Sequence, residues 1–318
     1  MGTSSMIWIG AGILALACAG AFWALRAAPS SLNTEEMQAA YRAAPLAAPV
    51  GGLQVYHLGH SLVGRDMPAM LQQLAPEGHG HHSQLGWGTS LREHWEPDLA
   101  INGFDAENDH PAFRPAREAI ASGAYDAIVL TEMVEIEDAI NYHKSPFYLK
   151  KWAELARSGG ADTRIYLYET WHHLDDPAGW LERLDRDFEG AWQARILRPA
   201  HDPDAAPVRI IPAGQVMAAL VRRVEASGGI GPVQAKADLF RLNEDGSQDM
   251  IHLNDLGHYL VALTHYAVLY HRDPTGLPHT LRRADGSVAQ SPGRDLALAM
   301  QETVWNIVRG MPSTGVAQ

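Results

Sequence analysis

The chain has 318 residues, 46% hydrophobic and 19% charged, a composition that buries a core and excludes an intrinsically disordered protein. A formal net charge of −12, with no basic stripe, excludes a typical nucleic-acid binder and weighs against anionic polymers as substrates. The single cysteine, Cys18, leaves the rest of the chain without a thiol, which excludes intramolecular disulfides, thiolate zinc sites and a cysteine nucleophile.

Residues 6–25 carry no charge, and about 20 apolar residues suffice to span a bilayer as a helix. Flanking Trp8 and Trp23 suit a retained membrane anchor. A cleavable signal with a small-residue site near Ala27-Ala28 is the rival reading, although the first five residues lack Lys and Arg. A buried helix is the third. Either of the first two places the remaining chain outside the cytoplasm, in the periplasm or beyond the cell, with the membrane as a partner through this segment. The expected organisation is an anchor or signal over 1–26, an Ala/Pro/Ser-rich linker over 27–52 with one short helix near 34–43, and a single domain over 53–318.

Residues 53–58 form the first expected strand, and Gly59 ends it. Pro68 then marks an early helical position, with Met67, Met70, Leu71 and Leu74 at helical spacing. The result is a strand, a turn bearing Ser61, then a helix. His79, His81 and His82 sit on a Gly-rich stretch that reads as a solvated loop, followed by a short strand from Gln84 into a glycine turn at Gly86 and Gly88. Residues 91–125 read as mixed and helical. Residues 126–131 are a continuous apolar strand of the kind buried in parallel sheets. A helix is expected over 146–157, strands over 164–170 and 208–212, and helices over 256–270 and 294–309, with Asn254 or Asp255 as the cap of the first of these. Residues 274–292 read as loop. Strands alternating with helices predict an α/β domain with a parallel sheet.

The chemistry centres on Asp249 and His252. An acid three residues before a histidine, on one tight loop, can accept the Nδ1–H of the imidazole and leave Nε2 as a base. Ser61 is the nucleophile this base needs, since a free hydroxyl attacks a carbonyl poorly without one. In a doubly wound sheet a turn after the first strand and a segment before the last core helix meet at the carboxyl edge.

With these residues in place the sequence resembles the SGNH (GDSL-like) hydrolases over about residues 53–270. Gly59-His60-Ser61-Leu62 stands for the nucleophile block, Gly88-Thr89-Ser90 for the glycine block, and Asp249-Met250-Ile251-His252 with Gly257 for the last block. The resemblance implies a doubly wound, flavodoxin-like, mostly parallel sheet flanked by helices. It also implies an esterase, without a cofactor, that acylates Ser61 and deacylates through His252. Gly88, with Gly86 as rival, is then the oxyanion glycine. The chain departs from the family at His60, where the family has aspartate, and at Glu132, where the third block should supply an asparagine. A missing oxyanion donor costs about 2.7–4 kcal/mol of transition-state stabilisation. An ionised carboxylate cannot donate, so Glu132 is expected to organise the pocket rather than bind the oxyanion. His60 is expected either to be structural or to face the substrate.

Glu169, at the end of a strand, is expected either to line the pocket or to be a solvated loop carboxylate, and Trp171 just after it to line the pocket, with Trp87, Trp95, His172 and His173 near them. Flat aromatics beside polar groups suit a sugar, and the expected substrate is a small-molecule or glycan ester, an O-acetylated carbohydrate first among them. One rival is a non-catalytic carbohydrate-binding or assembly protein with a degenerate oxyanion hole. The other is a metal-dependent hydrolase built on His79, His81 and His82, completed by Asp109-His110 or His172-His173, although adjacent side chains rarely converge on one ion. No metal is expected. The acidic run Glu132, Glu135, Glu137 and Asp138 is expected to be a solvated face or pocket rim.

Overall fold

The structure, a computed structural model, describes residues 32–316. The expected anchor or signal over residues 6–25 lies outside these residues, and no described helix is long and apolar enough to cross a membrane.

Five strands form one parallel sheet: β1 (Gln54–His60), β2 (Gly80–Gly86), β3 (Ala127–Thr131), β4 (Arg164–Glu169) and β5 (Arg209–Pro212), in the order β2-β1-β3-β4-β5. This is the doubly wound α/β order in which ligands bind at the carboxyl ends of β1 and β3, where the winding direction reverses. The strands alternate with period two, so each serves two cores. Val55, Val129, Tyr166 and Tyr168 face one helical layer; Leu58, Ile128, Leu130, Ile165 and Leu167 face the other.

In chain order the helices are α1 (Thr34–Ala43), α2 (Asp66–Leu74), α3 (Leu91–Trp95), α4 (Phe104–Asn108), α5 (Ala116–Ala121), α6 (Ile136–Asn141), α7 (Ser145–Gly159), α8 (Trp180–Asp187), α9 (Ala213–Ala226), α10 (Asp255–Tyr270) and α11 (Gly293–Gly310). Helices α2, α9, α10 and α11 pack on the first face, and α5 and α7 on the second. Asn254, not Asp255, caps α10: its side chain accepts from the Leu256 and Gly257 amides.

The expected linker is docked where it is helical. Helix α1 buries Met37 and Tyr41, and the Tyr41 hydroxyl donates to the Val208 carbonyl at 3.1 Å beside β5.

Two placements differ from the sequence reading. His81 and His82 are in β2, not in a loop: β2 is the sheet edge, paired with β1 and bridged on its outer side at Ser83–Phe113, and an edge strand does not need the apolar run that marks a central one. Asp249 and His252 are on a strand, β7 (Gln248–Leu253), paired antiparallel with β6 (Phe240–Leu242) in a small hairpin outside the main sheet.

Candidate active site

The turn that carries Ser61 is built by close packing at the end of β1. A Cβ on Gly59 would lie 2.6 Å from the Thr131 Cβ, so only glycine lets β1 approach β3 there. Two buried imidazoles then hold the turn. His60 Nε2 donates to the Glu132 carbonyl at 2.8 Å, and His94 Nε2 donates to the Gly59 carbonyl at 2.7 Å while its Nδ1 accepts from Gln84 at 3.0 Å. Burial pushes both rings down to about 4, so both are neutral single donors near neutrality. The residue after this turn-forming pair is Ser61, at the mouth of a cavity of about 670 Å³.

Across the cavity the β6–β7 hairpin presents the other two groups. Ser61 Oγ lies 3.0 Å from His252 Nε2, and His252 Nδ1 lies 2.9 Å from Asp249 Oδ2. The expected serine, histidine and aspartate therefore stand in one hydrogen-bonded row, although 191 residues separate the first two. Burial alone would raise the Asp249 carboxyl. The amides of His252 and Ile251, the Arg241 guanidinium and the His252 ring outweigh it and hold the group well below the usual carboxylate range.

Arg241, from β6, donates Nε–H to Asp249 Oδ2 at 2.9 Å and brings Nη2 to 3.4 Å from His252 Nδ1. Nothing local in the sequence points to it or to His94, because each reaches its partner only through the fold. The hairpin is braced from the loop after β4: Trp171 Nε1 donates to the Ile251 carbonyl at 2.8 Å, and the Leu174 amide to the Met250 carbonyl at 2.9 Å.

Gly88 lines the cavity with a left-handed φ of 57° and open space where a Cβ would be. Among the described residues neither the Ser61 nor the Gly88 amide donates to a protein acceptor, so both are available to a ligand oxygen. Val134, not an amide side chain, faces the cavity beyond β3.

Several expected pocket residues lie elsewhere. Gly86 ends β2 with Thr89 and Ile101 packed where a Cβ would be, and does not line the cavity. His60 is fully buried against the Glu132 carbonyl, so it is structural and does not face a substrate. Glu132 is buried too. Its carboxylate accepts from the Leu91 amide at 3.1 Å, the Met133 amide at 2.9 Å and Ser145 Oγ at 2.5 Å, and burial pushes it up to about 7 despite these donors. It ties β3 to the starts of α3 and α7 from behind the site. Glu169 is buried at the start of α9, where its carboxylate accepts from the Gln215 amide at 3.2 Å, and burial pushes it up to about 8. Both carboxylates left the pocket for the same reason: each satisfies helix-start amides that would otherwise be unpaired.

Of the aromatics, Trp95 packs on Trp152 and His172 is buried beside Asp187, while Trp87, Trp171 and His173 line the cavity. Trp87 is 56% exposed, yet its ring is fixed: Nε1 donates to Glu107 at 2.8 Å, and Gly103, with φ 67°, lies beneath it where a Cβ would be 2.2 Å from Cδ2. No group of three or more metal-ligating side chains with metal-binding geometry occurs among the described residues, His79, His81 and His82 included.

No family model and no curated protein matches this chain. Among solved structures it is similar to a DUF4886 family protein from Bacteroides uniformis, with a TM-score of 0.52 and 17% identity over 81% of this chain and 95% of that one. At that identity the similarity is one of fold: a doubly wound α/β domain spanning nearly the whole of the other protein.

Proposed function

We propose that this protein is a serine esterase that hydrolyses an ester through an acyl-enzyme on Ser61. The observation that carries the reading is the row Ser61 Oγ, His252 Nε2, His252 Nδ1, Asp249 Oδ2, with contacts of 3.0 and 2.9 Å, opening onto a cavity. As the Ser61 oxygen bonds to the ester carbon, its proton moves to His252 Nε2, and Asp249 stabilises the imidazolium. The Ser61 and Gly88 amides meet the oxyanion. Collapse breaks the bond to the leaving alcohol, which takes the proton from Nε2. Water then gives a proton to Nε2 and attacks the acyl carbon, and the acid departs with Ser61 restored.

The fixed, solvent-facing indole of Trp87 beside Gly88 supports a flat ring as the alcohol side, and an O-acetylated sugar fits it. An exported or membrane-tethered location, read from residues 6–25, fits an extracytoplasmic glycan. A second reading, a glycan-binding protein without turnover, is favoured by one observation: Glu132 is buried where the resemblance expects a donating side chain.

The test is turnover of p-nitrophenyl acetate and acetylated xylan by wild type, Ser61→Ala and His252→Ala, with and without a chelator. The esterase reading predicts turnover that the chelator leaves alone and that both substitutions lower by about 10³-fold or more. Loss of wild-type activity on chelation would instead support a metal hydrolase.

A further inference from the structure

The cavity at Ser61 does not end at the nucleophile. A second depression of about 510 Å³ shares Gly64, Arg65 and Asp66 with it and runs on along the exposed side of α2, past Ala69 and Gln72. Its floor is rigid, because the opposite side of α2 buries Met67, Met70, Leu71 and Leu74 in the core. Its far wall, residues 283–285, is pinned to the same helix and to α10: the Ala284 amide donates to Asp66 at 2.9 Å, Arg282 and Gln73 exchange hydrogen bonds of 2.9 and 2.8 Å, and Arg283 pairs with Asp255 at 2.5 Å. The groove is therefore part of the folded frame.

Most of its lining residues are polar or charged, with both signs present. Arg65 donates to the Ala106 carbonyl and has no carboxylate partner among the described residues; Asp66 and Asp285 supply acceptors. His81 and His110 also line it, each with one ring nitrogen buried and without a hydrogen-bond partner. The apolar residues of the lining are small, Ala69, Pro111 and Ala112 included, so none forms a wide apolar wall. A long acyl chain would need a greasy wall, and a polyanion would meet Asp66 and Asp285. A hydroxyl-rich chain, whose every group both donates and accepts, matches the lining.

We infer that this groove is an extended subsite, and that the substrate is an oligosaccharide or polysaccharide whose esterified unit sits at Ser61 while further sugar units lie along α2. The inference rests on the esterase reading and sharpens its substrate. Contacts remote from the reacting bond raise kcat/KM only for substrates long enough to make them.

The test compares kcat/KM for p-nitrophenyl acetate and for acetylated xylo-oligosaccharides of increasing length, in wild type and in Ala69→Trp, which fills the groove from its floor. The inference predicts that wild-type kcat/KM rises with chain length, and that Ala69→Trp lowers the ratio of long to short substrate by about tenfold or more. Circular dichroism checks the fold; should the tryptophan disturb it, Gln72→Ala and His110→Ala must lower the same ratio in a folded protein. A ratio that does not depend on chain length or on these substitutions would overturn the subsite and leave the esterase standing. Absence of turnover on every ester, p-nitrophenyl acetate included, would instead remove the esterase reading and the subsite with it.

Discussion

Asp249 binds its partners with both oxygens. Oδ1 takes the amides of Ile251 and His252, and Oδ2 takes Arg241 and the His252 ring. Each of these contacts favours the charged form, and together they hold the carboxyl well below the usual carboxylate range. In the proposed reaction the His252 imidazole must be neutral to accept the Ser61 proton, so the rate falls as pH falls. The prediction is an acid limb of kcat/KM that follows a single proton; a limb of slope two would show a second group in play. Asp249→Asn keeps the shape but lets Nδ1 become the acceptor, turning the protonated nitrogen toward Ser61. Its kcat should drop about 10⁴-fold while the melting temperature stays within a few degrees; a mild loss would show that His252 is oriented by something else.

At the scale of elements, Glu132 links β3 to α3 and α7, and the size of that link can be measured. Glu132→Ala leaves the Leu91 and Met133 amides and the Ser145 hydroxyl without their acceptor, which costs on the order of 3 kcal/mol or more. Glu132→Gln keeps an acceptor for the amides and should cost little. Urea denaturation distinguishes the two, and equal losses would contradict the role. Sequence reading reached the elements whose signals are local. The central strands are continuous apolar runs, and Asp249 and His252 find each other within three residues. It did not reach residues 180–200, where α8 runs into a π-helix over Phe188–Leu197: winding with i→i+5 bonds moves the apolar repeat off 3.6, and Gly190 weakens the helical signal further. Nor did it reach α9, because Ala213 follows Pro212 of β5 directly and the apolar run has no break at the boundary. Glu132, Glu169 and His60 were found as residues, but position on a strand end says nothing of whether a side chain turns into the cavity or back toward a helix start.

For the whole molecule, the number of buried imidazoles sets the response to pH. His60, His79, His81, His94, His172, His265 and His271 are each pushed down to about 4, with burial the leading cause in every case. The unfolded chain takes protons on these rings near 6.5 and the folded chain does not, so their share of stability is present above 6.5 and is lost as pH falls toward 4. Glu132 and Glu169 act in the opposite sense. Their raised values, about 7 and about 8, make the folded state hold a proton that the unfolded state has released; that contribution is full below 4.5 and disappears as pH rises through 7 to 8. The melting temperature should therefore peak at about pH 7, drop steeply toward pH 4 and decline gently toward pH 8. The double variant Glu132→Gln, Glu169→Gln should flatten the alkaline side and steepen the acid side above pH 4.5, and a curve still rising at pH 8 in wild type would refute this assignment.

The central claim is that Ser61 is a nucleophile activated by His252, and covalent trapping tests it most directly. Wild type, Ser61→Ala and His252→Ala would be treated with a fluorophosphonate and the adduct located by mass spectrometry. The account predicts one adduct, on Ser61, formed rapidly in wild type, absent in Ser61→Ala and slowed by about 10³-fold or more in His252→Ala. A folded wild-type protein that takes no label at Ser61, or that labels equally fast without His252, would contradict it.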